Sequence, residues 1–136
     1  MRIDIDVTKV GITDGDYIGQ VIKLDMQVKA NESDKWNKEG TINVSSAEDF
    51  SAYPPENKRL HYTIYIPQKG NIWHDLYLKD SALPFLKAFL TATGVPFTKE
   101  GFDPNEAVGR NIGVRVVTIE QPGFSPRTQI AKVWKA

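Results

Sequence analysis

Cysteine is absent from the 136-residue chain, which excludes a disulfide framework, a thiolate metal site and a cysteine nucleophile, and leaves the redox compartment unread. Histidine is nearly absent as well, with only His61 and His74. No stretch approaches the roughly 20 consecutive apolar residues that cross a bilayer. The N-terminus, MRIDIDVTKVG, alternates acidic with apolar residues and lacks the continuous apolar run of a signal peptide. A cytoplasmic protein with no membrane partner is therefore expected. An excess of charge of either sign is also missing, since 17 basic side chains balance 17 acidic ones. Net neutrality argues against a protein that grips nucleic acid by bulk charge.

Enzyme signatures are missing too. There is no glycine-rich phosphate loop, no GxSxG turn and no HExxH helix. His74 adjoins Asp75, but neighbouring residues of a strand point to opposite faces and cannot jointly hold one ion. His61 and His74 approach one another only if a hairpin sets them face to face; otherwise His74 is a partly buried ring making one hydrogen bond. Asp4 and Asp6 share one side of the opening segment and are read as solvating an edge strand. Neither catalysis nor a metal or other cofactor is expected.

What is present is a composition of 40% hydrophobic and 25% charged residues, which suits one domain over residues 1–136 with a single core. DYIGQVIKLDMQVKA, Asp16 to Ala30, alternates from Ile22 onward: Ile22, Leu24, Met26 and Val28 oppose Lys23, Asp25, Gln27 and Lys29. Gly19, in the early part of this strand, permits a sharp bend or a close approach. Residues 31–59 are polar, with a short strand proposed at Gly40–Ser46, and form a long loop of the kind that is functional or mobile. LHYTIYIP, Leu60 to Pro67, alternates again, and a turn around Lys69 to Asn71 returns it through IWHDLYLK. DSALPFLKAFLTATGVP then carries helix signals: Asp80 or Ser81 as cap, Pro84 in the first turn, a stripe of Leu83, Leu86 and Leu90 broadened by Phe89, and a stop at Gly94 and Pro96. A final hairpin joins RNIGVRVVTIE, with Ile112, Val114 and Val116 on one face, to TQIAKVWKA through QPGFSPR.

Strand, long loop, hairpin, helix, hairpin is the order of a mainly β, five-stranded OB-fold, a Greek-key barrel with one helix between its third and fourth strands. Closing such a barrel points aliphatic side chains inward, so aromatic side chains on the other face need a reason. The expected outer surface of the second and third strands carries Tyr65, Trp73 and Tyr77, the first loop adds Trp36 and Tyr53, and the last loop adds Phe124 and Arg127. Bases stack on such rings, and nearby cations follow the phosphates. Lys58, Arg59, Lys69, Arg115 and Lys132 are the candidate phosphate contacts. Between Arg110 and Ala136 five basic residues stand against one acidic residue, Glu120, so a local positive strip is compatible with a neutral chain. A plainer account exists for each feature: aromatics favour strands for packing alone, loop aromatics fold back onto a core, and outward Lys and Arg keep a sheet soluble.

GNIWHDLYLKDSALPFLKAFLTATGVPF, followed by DPNEAVGRNIGVRVVTIE and RTQIAKVWKA, resembles small phage and prophage proteins encoded among recombination and replication genes and regarded as OB-fold single-stranded DNA-binding proteins. The likeness runs from about Tyr17 to the C-terminus and consists of patterns, not catalytic signatures. It implies protection of single-stranded DNA or its hand-off to a recombinase or replication protein, with Trp73, Tyr77, Arg110 and Arg115 as contact residues. The sequence departs from many single-strand binders in ending AKVWKA, basic and aromatic where they carry an acidic recruiting tail. A homodimer is a further candidate assembly. The rival expectations are a phage interaction or assembly protein that docks a protein partner on the same rings, and an oligosaccharide-binding barrel.

Overall fold

A computed structural model describes residues 12–136. The expected edge strand with Asp4 and Asp6, and most of the N-terminal segment weighed against a signal peptide, lie outside the described residues. The strands are β1 (Gly15–Val28), β2 (Ile42–Val44), β3 (Lys58–Ile66), β4 (Gly70–Tyr77), β5 (Asn111–Ile119) and β6 (Arg127–Trp134), and the helices are α1 (Ala47–Ser51) and α2 (Leu83–Thr93). All six strands join one antiparallel sheet in the order β4-β3-β1-β5-β6, with β2 alongside β1. The described sheet is not closed, which departs from the closed five-stranded barrel expected. Because every pairing is antiparallel, β4 and β6 run the same way at the two ends of the order.

The long strand β1 organises the rest. Its second half pairs with β3 and its first half with β5, changing neighbours at Gln20. A register shift between Val21 and Lys23 interrupts the alternation. Val21 is fully buried while Ile22, expected inward, is 44% exposed, and Leu24 and Met26 return to the core side. The bulge adds one residue to β1 and so exchanges the faces on either side of it. Gly19 makes the close approach expected of it: a Cβ there would lie 2.7 Å from Ile64 Cγ2 and 3.0 Å from the Tyr65 carbonyl oxygen.

The stretch expected as a loop over 31–59 has structure of its own. Its short strand forms at Ile42–Val44, α1 follows with Ser46 as cap, and β3 begins at Lys58, which places Lys58 and Arg59 in the sheet. Lys29 Nζ donates to the carbonyl oxygens of Glu32 (2.8 Å) and Asp34 (3.0 Å), tying the start of this stretch to β1. The β3–β4 turn falls two residues earlier than expected, spanning 67–69 with Ile66 opposite Gly70, so that Asn71 belongs to β4.

Alternation on β3 and β4 sends Leu60, Tyr62, Ile64, Ile66, Ile72 and Leu76 into the core. From β5, Ile112, Val114 and Val116 join them at zero exposure, on the face their spacing predicts. Helix α2 packs Leu86, Phe89 and Leu90 against this layer. Phe89 meets Tyr62 at 4.5 Å between ring centroids, and the Tyr62 hydroxyl donates to the Pro104 carbonyl at 2.7 Å. Burial, assisted by the Asp103 carboxylate, raises the pKa of that hydroxyl and keeps it a donor. Gly94 closes α2 in the left-handed conformation at φ 74°, the role its position predicts. The start differs. Neither Asp80 nor Ser81 caps α2: they form a separate 3-10 turn, Asp80–Ala82, and Ala82 precedes the helix with no side-chain cap. Leu83, expected on the buried stripe, is 41% exposed and is the first residue of the helix.

His61 lies opposite Asp75, and His74 lies opposite Tyr62, so the two histidines occupy opposite faces and cannot meet. His74 turns inward against Phe89, 5.8 Å between centroids, and burial outweighs the opposing pull of Asp75 to lower its pKa to about 4. The folded protein therefore holds a neutral imidazole that the unfolded chain protonates near pH 6.5. Stability is unaffected by this group well above that pH and falls as the pH drops from about 6.5 towards 4, by about 3 kcal/mol. Urea melts between pH 7 and pH 4.5 should record the fall, and a His74→Gln variant should flatten this part of the profile.

Candidate nucleic-acid interface

The outward side chains of β3 and β4 follow from the same pleat that buries their neighbours. Tyr65 (41% exposed) and Trp73 (55% exposed) stand on this face, on adjacent antiparallel strands. Cross-strand register gives each its row. Trp73 lies opposite Thr63, which lies opposite Lys23; Asn71 lies opposite Tyr65, which lies opposite Gln20, which lies opposite Asn111. Two rings thus project from one surface with amides and a lysine beside them, the combination that permits stacking on bases together with polar contacts.

Tyr77 and Trp36 belong to a different cluster at the far end of the same face. The Trp36 ring folds back over Arg59, 4.5 Å from its guanidinium carbon, and meets Tyr77 at 6.1 Å between centroids, with Lys29 Nζ 5.4 Å from the indole. Arg59 is spent within this cluster. It donates to Gln27 Oε1 (2.8 Å) and to the Tyr77 hydroxyl (3.3 Å), and pairs with Asp75 at 3.4 Å. Only 11% of its side chain is exposed, so it is not an open phosphate contact. Between the two clusters runs a row of Asp75, His61 and Asp25, with the Asp75 carboxylate hydrogen-bonded to His61 Nδ1. That row repels phosphate wherever its carboxylates are not neutralised. The open part of the surface is therefore the Trp73 and Tyr65 end.

The remaining expected contacts are dispersed. Arg110 clamps the end of α2, donating to the carbonyl oxygens of Thr93 (3.2 Å), Gly94 (3.1 Å) and Glu106 (2.8 Å). A cation at a helix C-terminus satisfies orphan carbonyls and complements the helix dipole. Arg110→Ala should lower stability by about 1–2 kcal/mol in urea melts and leave oligonucleotide affinity unchanged within twofold. Arg115 pairs with Asp16 through two bonds of 2.8 and 3.2 Å, and the hydrogen bond from Arg115 holds the Asp16 carboxyl below its ordinary pKa. Lys132 lies opposite Arg115 on β6 and is exposed. Lys58 rests its ammonium 5.1 Å from the Phe50 ring. Tyr53 is half-buried beyond α1, and Lys69 is exposed in the β3–β4 turn. Phe124 is 73% exposed in the β5–β6 turn, and Arg127 stands at the start of β6.

Between β4 and β6 the structure opens a cleft of about 660 Å3, lined by Trp73, Lys79, Phe85, Arg127 and Gln129 among others. Sequence reasoning missed Phe85 and Lys79. Phe85 breaks the apolar stripe of α2 at an outward position, a signal visible in the spacing, but what it faces depends on where β6 arrives. Among the described residues no group of three or more His, Asp or Glu side chains is placed to hold a metal ion, and no helix is long and apolar enough to cross a membrane. Comparison with protein-family models and with curated proteins finds no match to this chain.

Proposed function

We propose that this protein binds single-stranded DNA, largely independently of sequence, on the outer surface of β3 and β4, in support of phage-type replication or recombination. The observation that carries the reading is the exposure of Trp73 and Tyr65 side by side on a face whose strands bury every aliphatic residue of opposite parity. The order β4-β3-β1-β5-β6 is compatible with an OB-type Greek-key arrangement left open between β4 and β6, and in OB barrels the corresponding face is a usual oligonucleotide surface, which supports this reading. The available cations are few. Arg59, Arg110 and Arg115 are engaged and Lys58 rests on Phe50, which leaves Lys23, Lys69, Lys79, Lys132 and Arg127, and Lys23 itself lies 3.6 Å from Asp25. Stacking is then the larger contribution and phosphate neutralisation the smaller.

Adding oligothymidylate should quench tryptophan emission, and log affinity should fall with log salt at a slope of about −1.5 to −3, matching two to four phosphates at roughly 0.7 each. Unchanged emission at micromolar protein in low salt would remove this reading. The engagement of three of the expected cations favours one second reading, a phage interaction or assembly protein whose exposed Trp73 and Tyr65 anchor a protein partner such as a recombinase or replication protein. Salt-insensitive binding to such a partner, with no oligonucleotide binding, is its signature.

A further inference from the structure

The cleft between β4 and β6 belongs neither to the core nor to the flat outer face, yet it shares Trp73 with that face. The cleft is lined also by Phe85 in the first turn of α2, 65% exposed, an apolar ring that packing on the core does not explain. Its charged lining is Lys79 and Arg127 against a single carboxylate, Asp75. That carboxylate is already answered by His61 and Arg59. Asn71 and Gln129 supply amides on the two flanking strands. A ring, two cations and amides in a concave space continuous with a stacking surface fit an anionic chain of flat groups. A purely apolar peptide would leave both cations without a partner. An extended strand inserted to complete the sheet fits poorly, because β4 and β6 approach one another directly while an inserted strand needs about 4.8 Å of separation from each neighbour.

We infer that single-stranded DNA bound on the outer face continues over the β4 edge into this cleft, with a base on Phe85 and a phosphate at Arg127. This inference rests on the single-strand reading above and adds a second subsite to it. The first subsite is Tyr65 with Trp73; the second is Phe85 with Arg127 and Lys79. The binding site is thereby longer than the outer face alone, and Trp73 sits at the junction.

The test is the affinity gained by lengthening the ligand, measured with oligothymidylates of about 4 and about 16 nucleotides, within the range of site sizes known for such barrels. Phe85→Ala should cut that gain by about fivefold or more, the loss of one stacked base. Arg127→Ala should cut it too and make the salt slope of the longer ligand shallower by about 0.7. Phe85 is exposed, so melting temperatures should stay close to that of the parent protein, which separates lost contact from lost fold. If both oligonucleotides bind and the gain survives both substitutions, the cleft is not a subsite and the outer-face reading stands. If neither oligonucleotide binds the parent protein, both readings fall together.

Discussion

Trp73→Ala should weaken single-stranded DNA binding by about 5- to 150-fold, the equivalent of 1–3 kcal/mol for one stacked base. The melting temperature should stay within about 2 °C, because truncating an exposed side chain changes stability by less than about 0.5 kcal/mol. The ring is 55% exposed and its cross-strand neighbour is Thr63, so no aromatic partner on the opposite strand depends on it. Fluorescence anisotropy of a labelled oligonucleotide reads the first quantity and a thermal melt reads the second. A fall in stability with affinity intact would mean that the ring supports the sheet and does not contact the ligand. Tyr65→Ala on the adjacent strand serves as the companion variant, with a smaller expected loss because its ring offers less area for stacking.

The largest expected effect on stability lies on the opposite face of the same sheet. Phe89 is wholly buried between Tyr62 and His74, and Phe89→Ala should cost about 3–5 kcal/mol through lost burial and the cavity left behind. For a chain of this size that is a fall of roughly 10 °C or more in melting temperature. Urea unfolding with an unchanged slope and a lower midpoint would assign the loss to stability alone. Where total stability is of order 5–15 kcal/mol, a loss of this size brings the variant near its threshold for folding. Phe89→Leu keeps most of the volume and is the variant to use if the alanine form does not accumulate. A loss below about 1 kcal/mol would contradict the packing of α2 on the sheet.

The two substitutions separate the two faces of one strand pair. Residue 73 lies one position from Ile72, which is 3% exposed, and the half-turn of the pleat between them divides binding from folding. Any ligand of this protein that uses the outer face meets the side chains that the core did not need.

Much of this arrangement was legible before any coordinates. The alternation of Leu60, Tyr62, Ile64 and Ile66 placed Tyr65 outward, the alternation of β4 did the same for Trp73, and Gly94 marked the end of α2. These are local properties, because the pleat and the helix stop are set within a few residues. The bulge in β1 was not legible, since nothing in VIK distinguishes a strand that inserts a residue from one that does not. The cap of α2 was misplaced because Asp80 and Ser81 are cap-forming residues in composition, while the chain spends them in a 3-10 turn.

The candidate site was legible only in part, for a physical reason. A ring's face is set by its own strand, whereas a cation's availability is set by what other segments bring to it. Arg59 met Trp36, Gln27 and Asp75; Arg110 met the carbonyls that end α2; Arg115 met Asp16, 99 residues away. By itself the sequence determined a mainly β chain with one principal helix, the direction of the side chains along β3, β4 and β5, and the absence of thiol chemistry. Only the tertiary structure decided which cations other residues engage, that the described sheet stays open between β4 and β6, and that Phe85 and Arg127 line the same cleft. Strand alternation is a short-range steric rule, but pairing of charges and the meeting of sheet ends are contacts between distant residues, and no local pattern encodes them.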